Sequence, residues 1–492
     1  MRSLLKSPWR RGVLRGLCVG ACLGASVLAI SPLSAQQAPD RSRPPALGPT
    51  PVLHLPAIDK QTLSNGLPVW IMGVHRVPTV HLELAVRAGI ASDPAGKFGL
   101  ANLTAEMLDE GAGSRNALEI ADAIDFLGAD LSASGSNDAS YVDLHVPVAR
   151  LPDALAVMAD VVARPSFPDA ELNRIRDERL ASLLQARDDP EQLVAFAFPR
   201  LVYGPQHRYG SQPIGTAAAL NSITTADLKA LHAAQYRPSN AALFVTGDVT
   251  ASSVVPILER ALGSWSGGTA PAPPTIPSAT QLTSRRVYLI DKPGAAQSQI
   301  RIGWVGVPRS TPDYFAIRVL NTILGGAFTS RLNNNLREVH GFAYGAGSSF
   351  DMRLGAGPFY AAAGVQTDKT SEALKEFFNE LTRIREPVGA EELDKAKNYL
   401  ALLLPRTFET QRGAANALAQ TFVYNLPADY FQTYADRVRA VTSADVKRVA
   451  DQYIQPDKFA VVIVGDRKVI EPGVKALNLG PLTVVDAPEV FK

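Results

Sequence analysis

Ser222-Ile-Thr-Thr-Ala-Asp-Leu-Lys229, followed by Ala241-Ala-Leu-Phe-Val-Thr-Gly-Asp248, returns in the second half of the chain. There it reads Thr442-Ser-Ala-Asp-Val-Lys447, followed by Phe459-Ala-Val-Val-Ile-Val-Gly-Asp466. Asp227 falls on Asp445 and Asp248 on Asp466, both at an offset of 218 residues, and the same offset carries Val69-Trp-Ile-Met72 onto Val287-Tyr-Leu-Ile290. One short match arises by chance; three at a single offset imply a duplication, each copy a sheet covered by helices.

The elements around these segments set the fold class. Thr79 to Arg87 and Ser140 to Val148 read as strands. Gly99 to Asp109 places Leu100, Leu103, Met107 and Leu108 at helical spacing, and Leu151 to Ala163 does likewise. The hairpin-like stretch from Ser134 to Ala139 favours a mostly antiparallel sheet over a doubly wound one. The expectation is α+β, with two tandem homologous domains. The Pro-, Gly- and Ser-rich run 266–284 is the linker between domains 57–265 and 285–492, and 36–56 is a flexible lead-in.

The first 35 residues hold Arg2, Lys6, Arg10, Arg11 and Arg15 and no acid, then an apolar run from Gly16 to Ile30, then Leu33-Ser34-Ala35. This order reads as a secretory signal cleaved after Ala35, which points to a periplasmic location. Val19-Gly20-Ala21-Cys22 loosely resembles a lipobox, but the apolar run continues past Cys22. Both cysteines, Cys18 and Cys22, lie in this segment, so a processed chain has no disulfide framework. Removing the five signal cations from a formal net charge of +2 leaves about −3. That balance argues against a nucleic-acid binder, which carries a basic surplus.

Three segments resemble the M16 family of peptidases (pitrilysin, insulinase, mitochondrial processing peptidase). They are the Gly-Leu-Ala opening of the Gly99 helix, Leu324-Gly-Gly-Ala-Phe-Thr-Ser-Arg-Leu332, and Leu336-Arg-Glu-Val-His-Gly-Phe-Ala-Tyr344. The resemblance spans roughly residues 57 to 470 and implies an M16 peptidase-like (LuxS/MPP-like) fold. In active members the helix after Gly-Leu-Ala carries His-x-x-Glu-His: two imidazoles one turn apart ligate zinc and the Glu activates the bound water. Here Asn102, Ala105 and Glu106 stand at those positions. Asn is a poor zinc ligand, Ala is no base, and one Glu cannot replace two imidazoles. The third ligand, a Glu, should fall near Leu180 to Leu183, where no acid sits. The seven histidines (His54, His75, His81, His145, His207, His232 and His340) form no helical pair at i, i+3 or i, i+4. No metal site is therefore expected in this chain. Taken alone, Glu106 reads as a solvated helix position and Asn102 as a polar residue suited to a helix start.

By the same resemblance, Arg337 and Tyr344 match a pair that holds the scissile carbonyl and stabilises the oxyanion. Without it, Arg337 is a cation in the last turn of a helix ended by Gly341, Tyr344 a half-buried strand aromatic, and His340 a helix-end group. Gly325-Gly326 lacks the Lys and spacing of a phosphate loop and reads as a turn that permits close packing.

In one branch of the family, one chain of a heterodimer brings the zinc helix and the other the Arg/Tyr pair. The resemblance thus implies the zinc-free subunit of a periplasmic zinc metallopeptidase. Arg337 and Tyr344 would act in trans, and zinc would sit in a homologous partner carrying His-x-x-Glu-His. Peptide or unfolded protein would be the substrate, added as a strand near Ser132 to Ser140. The alternatives are a non-catalytic peptide-binding or assembly subunit, and a peptidase with an unrecognised site.

Overall fold

A computed structural model describes residues 55–269 and 272–491; the signal segment and most of the lead-in lie outside the described residues. The first sheet is built from β1 (Ile58–Thr62), β2 (Pro68–Gly73), β3 (Thr79–Val86), β4 (Asp130–Gly135), β5 (Ser140–Pro147) and β6 (Ala241–Gly247), in the order β1-β2-β6-β3-β5-β4. The second holds β7 (Arg286–Asp291), β8 (Gln297–Val305), β9 (Ala343–Phe350), β10 (Pro358–Gln366), β11 (Ala460–Gly465) and β12 (Leu482–Val485), in the order β9-β10-β8-β11-β7-β12. Only β2 with β6, β11 with β7 and β7 with β12 run parallel. The architecture is α+β, with two mostly antiparallel sheets covered by helices.

The 218-residue offset extends past the three segments that revealed it. Besides carrying β2 onto β7 and β6 onto β11, it carries β3 onto β8, each within a residue at either end. The sheets differ at one edge: β1, from before the repeat, pairs antiparallel with β2, whereas β12, from after it, pairs parallel with β7.

The helices that position the sites are α1 (Leu100–Glu106), α2 (Leu151–Ala163), α3 (Asp169–Ala186), α4 (Pro190–Tyr203), α5 (Thr225–Gln235), α6 (Tyr314–Asn321), α7 (Thr370–Arg383), α8 (Ala390–Thr407), α9 (Gln411–Val423) and α10 (Ser443–Tyr453). The alternation of β3 and β5 sends Leu82, Leu84, Val142 and Leu144 to one side, where they share a core with Leu100 and Leu103 of α1 and with α2. The other side is covered by α9 from the second half: Ala414, Ala415, Leu418, Ala419 and Val423 pack on Met72, Ala85, Ala139, Ala242 and Phe244. Alanines on α9 let a helix backbone approach a sheet closely. Reciprocally, α4 of the first half packs on β8 and β11 of the second sheet. Each half lends one helix to the other's sheet.

Polar groups reinforce that exchange. Arg87 donates to the Phe422 carbonyl and to Asn425 Oδ1, both at 2.6 Å, with its guanidinium over the Phe422 ring. Buried Asp138 accepts from Tyr209 Oη at 3.1 Å, Tyr424 Oη at 3.0 Å and the Leu354 amide at 3.0 Å, so one carboxylate joins both halves. The segment expected to be a free linker is also held: Ile276 packs beside Tyr203 and Tyr209, His207 Nε2 meets the Pro277 carbonyl at 2.8 Å, and Arg208 donates to Thr275 at 3.0 Å. Its prolines stiffen it, and its backbone carbonyls find side-chain donors.

Candidate functional site

Helix α1 starts at Gly99, whose φ of +100° suits glycine and which supplies no side-chain cap. Asp93 does that work from outside the helix, accepting from the Gly99 amide at 2.6 Å and the Ala101 amide at 2.7 Å. Burial pushes the Asp93 carboxyl up to about 7, against the pull of these hydrogen bonds and of Arg208.

Asn102, one turn in, does not cap the helix. Its Nδ2 donates to the Gly135 carbonyl of β4 at 2.7 Å, pinning that edge strand to α1. A Cβ on Gly135 would stand 2.7 Å from the Asn102 Cα, so glycine is what allows the approach. Ala105 is fully buried. Glu106 is not merely solvated: it is ion-paired with Arg179 of α3, whose Nε donates at 3.0 Å and whose terminal nitrogen also contacts Oε2. That nitrogen donates to Asn102 Oδ1 at 2.7 Å. Arg179 is only 5% exposed.

Two of the three residues at the degenerate zinc positions, Asn102 and Glu106, are therefore drawn together by a guanidinium. Arg179 lies one residue before the stretch in which the third ligand was sought. The resemblance implies an acid there; the charge that binds this face is instead the cation beside it. The signal was available: where a carboxylate, Glu106, replaces a metal-binding histidine beside a buried face, a positive charge is needed nearby.

Arg337 and Tyr344 lie in the second half. Asn334–Val339 forms a π-helical turn, a wider winding found often at functional sites. It closes at Gly341, φ +64°, through Gly341 N to Arg337 O at 3.1 Å and Phe342 N to Leu336 O at 2.8 Å. The chain then enters β9, an edge strand, whose second residue is Tyr344. Tyr344 is 87% exposed, not the half-buried aromatic of the bland reading, and Phe328 is 65% exposed. The Arg337 guanidinium sits 4.7 Å from the Phe328 ring centroid and 5.1 Å from that of Tyr344. Two aromatics thus hold the cation and leave the phenol open to solvent. His340 stacks on Phe342 and lies 3.9 Å from Glu376.

Gly325 and Gly326 do not form the expected turn: they end a π-helical segment, Thr322–Gly326, that makes the second half's counterpart of the Asn102–Gly135 contact. A Cβ on Gly325 would stand 2.2 Å from the Ser348 amide of β9, and Asn321 Nδ2 donates to the Ser348 carbonyl at 3.1 Å. The close packing is helix against strand. Both β4 and β9 are terminal strands whose outer edge has no sheet partner among the described residues. Among the described residues, no hydrogen bond, ion pair or ring contact joins Arg337 or Tyr344 to α1.

The fold, the altered helix and the Arg/Tyr turn together define a peptidase-like chain without the zinc-binding histidines. Residues 73–204 match the model of the insulinase family (peptidase family M16), and residues 222–400 match that of the peptidase M16 inactive domain. An uncharacterized zinc protease of Mycobacterium leprae is 30% identical over 308 residues, 62% of this chain and 68% of its own. The crystal structure of a peptidase M16 inactive domain from Pseudomonas fluorescens superposes with a TM-score of 0.76 at 27% identity, covering 83% of this chain and 98% of that one. The non-peptidase homolog YmxG of Helicobacter pylori is 22% identical over 85% of this chain and 96% of its own. The chain belongs to peptidase family M16.

Proposed function

We propose that this protein is the subunit lacking the catalytic zinc in an exported M16 metallopeptidase. A homologous partner supplies His-x-x-Glu-His and zinc, and this chain presents Arg337 and Tyr344 to the scissile carbonyl. The observation that carries this reading is the exposed Tyr344 beside an aromatic-held Arg337, on an edge strand where an extended peptide can add. Donors placed at the position of a developing oxyanion stabilise the transition state without reorganising. Arg179 supports the other half of the assignment, because its guanidinium already supplies the positive charge between Asn102 and Glu106. Export rests on the first 35 residues, and no helix among the described residues is long and apolar enough to cross a membrane.

The test is to purify the chain alone and together with an M16 chain from the same source that carries His-x-x-Glu-His. The mixture is expected to co-elute and to cleave an unstructured peptide library that neither chain cleaves alone. Failure to associate would end the heterodimer reading. Similarity to the Helicobacter pylori non-peptidase homolog favours a second reading, a peptide-binding or assembly subunit. Association without any gain in cleavage would select it.

A further inference from the structure

On the side of the first sheet that faces α9, opposite α1, His81 and Glu83 of β3 and Asp143 of β5 each bring a donor atom within 4.8 Å of the others. Register creates the group: Glu83 stands across from Asp143 and His81 across from His145, so alternate residues of two strands share one side. The rings of His81 and His145 are 6.0 Å apart. Helical spacing pairs none of the histidines, but this pairing is across strands.

His81 and Glu83 are fully buried, and among the described residues neither Glu83 oxygen and neither His81 nitrogen has a hydrogen-bond partner. His81 Nε2 lies 3.1 Å from Asp143 Oδ1, in ion-pair range. Burial and the Asp143 charge push Glu83 up to about 8. Arg412, at the start of α9, pulls the other way from an exposed position without bonding either Glu83 oxygen. Two facing carboxylates, one of them buried, are retained where a cation, proton or donor compensates them.

The duplication supplies a control. The register equivalents in the second sheet are Gln299 across from Gly364 and Arg301 across from Ala362. The same fold is built there without the histidines or acids, so their presence in the first copy is not required by the sheet.

We propose that His81, Glu83 and Asp143 bind one divalent transition-metal ion that ties β3 to β5 beneath α9. One imidazole and two carboxylates suit zinc or manganese and disfavour magnesium and calcium, which prefer all-oxygen sets. His145 flanks the group, its ring 6.0 Å from that of His81, and is not counted among the ligands. The site is structural, it does not depend on the partner chain, and it lies across the sheet from the degenerate helix.

The experiment uses the full chain, stripped with a chelator and titrated separately with zinc chloride and manganese chloride. Bound metal is counted after desalting, and thermal unfolding is followed with and without metal. One equivalent of either ion and a higher Tm are expected. Asp143→Asn, at a partly exposed position, and Glu83→Gln, which keeps the shape, should weaken binding at least about tenfold; His75→Ala should not. Circular dichroism checks folding, and Asp143→Asn alone decides if Glu83→Gln does not fold. No saturable binding, or equal binding by Asp143→Asn, overturns the site. Loss of metal on Glu106→Gln with retention in Asp143→Asn would place the ion on α1, overturning this site and also the reading that this chain lacks the catalytic zinc. A chain that binds metal as described but has no cleaving partner leaves the site standing and the proposed function refuted.

Discussion

At the residue scale, the cation between Asn102 and Glu106 has measurable consequences. Removing Glu106 strands a 5% exposed guanidinium, whereas removing Arg179 leaves a carboxylate that water can still reach. Glu106→Ala should therefore cost about 2–3 kcal/mol and Arg179→Met less than about 1.5 kcal/mol, read from urea unfolding. The reverse order would show that Arg179 is not held by Glu106. Asp93 makes a prediction in pH. Its folded carboxyl titrates at about 7 against an ordinary 3.8, so between those values the folded chain keeps a proton that the unfolded chain has released. Stability contributed at this position is present below about pH 4 and is lost as pH rises through about 7. Asp93→Asn should flatten that fall; an unchanged slope across the window would assign it to other groups. The roles of Glu106 and Arg179 were hidden in the sequence because they lie on α1 and α3, and no local pattern reports a contact made between helices.

At the element scale, the sequence was informative where period and repetition govern. The strand at Thr79, the helix at Leu151 and the strand at Ser140 follow from apolar alternation or helical spacing, and the duplicated segments point to a matching sheet. The helix expected from Gly99 to Asp109 ends sooner, at Glu106, because Met107 already closes it. The exchange of α4 and α9 between sheets was not legible, since an alanine-rich helix packs equally well on any flat apolar surface. Nor was the His81–His145 pairing, which depends on strand register. Two substitutions test the packing. Leu418→Ala empties a buried position of α9 against the first sheet and should cost about 2–4 kcal/mol. Gly325→Ala forces a methyl group toward the Ser348 amide, and should displace β9 and with it Tyr344. Cleavage by the reconstituted pair should fall in Gly325→Ala while α1 is undisturbed; full activity would show that β9 need not be fixed by this contact.

At the scale of the whole molecule, the exchanged helices and the Asp138 knot make the described chain one cooperative body. Two repeats joined only by a linker would unfold in two steps. Here a single thermal transition is expected, and Tyr424→Phe, which removes a donor from buried Asp138, should lower the unfolding free energy by about 1.5–3 kcal/mol without splitting the transition. Two resolved transitions in the wild-type chain would contradict that picture. The same rigidity bears on the proposed function, in which Arg337 and Tyr344 would have to be held at a fixed distance from a metal on another chain. The division of labour between chains is the central claim. It is tested most directly by the kcat of peptide cleavage in the reconstituted mixture, with Arg337→Ala and Tyr344→Phe in this chain and association monitored in parallel. The expected result is a fall in kcat of about 100-fold or more with the complex intact; cleavage at the wild-type rate by both variants would contradict it.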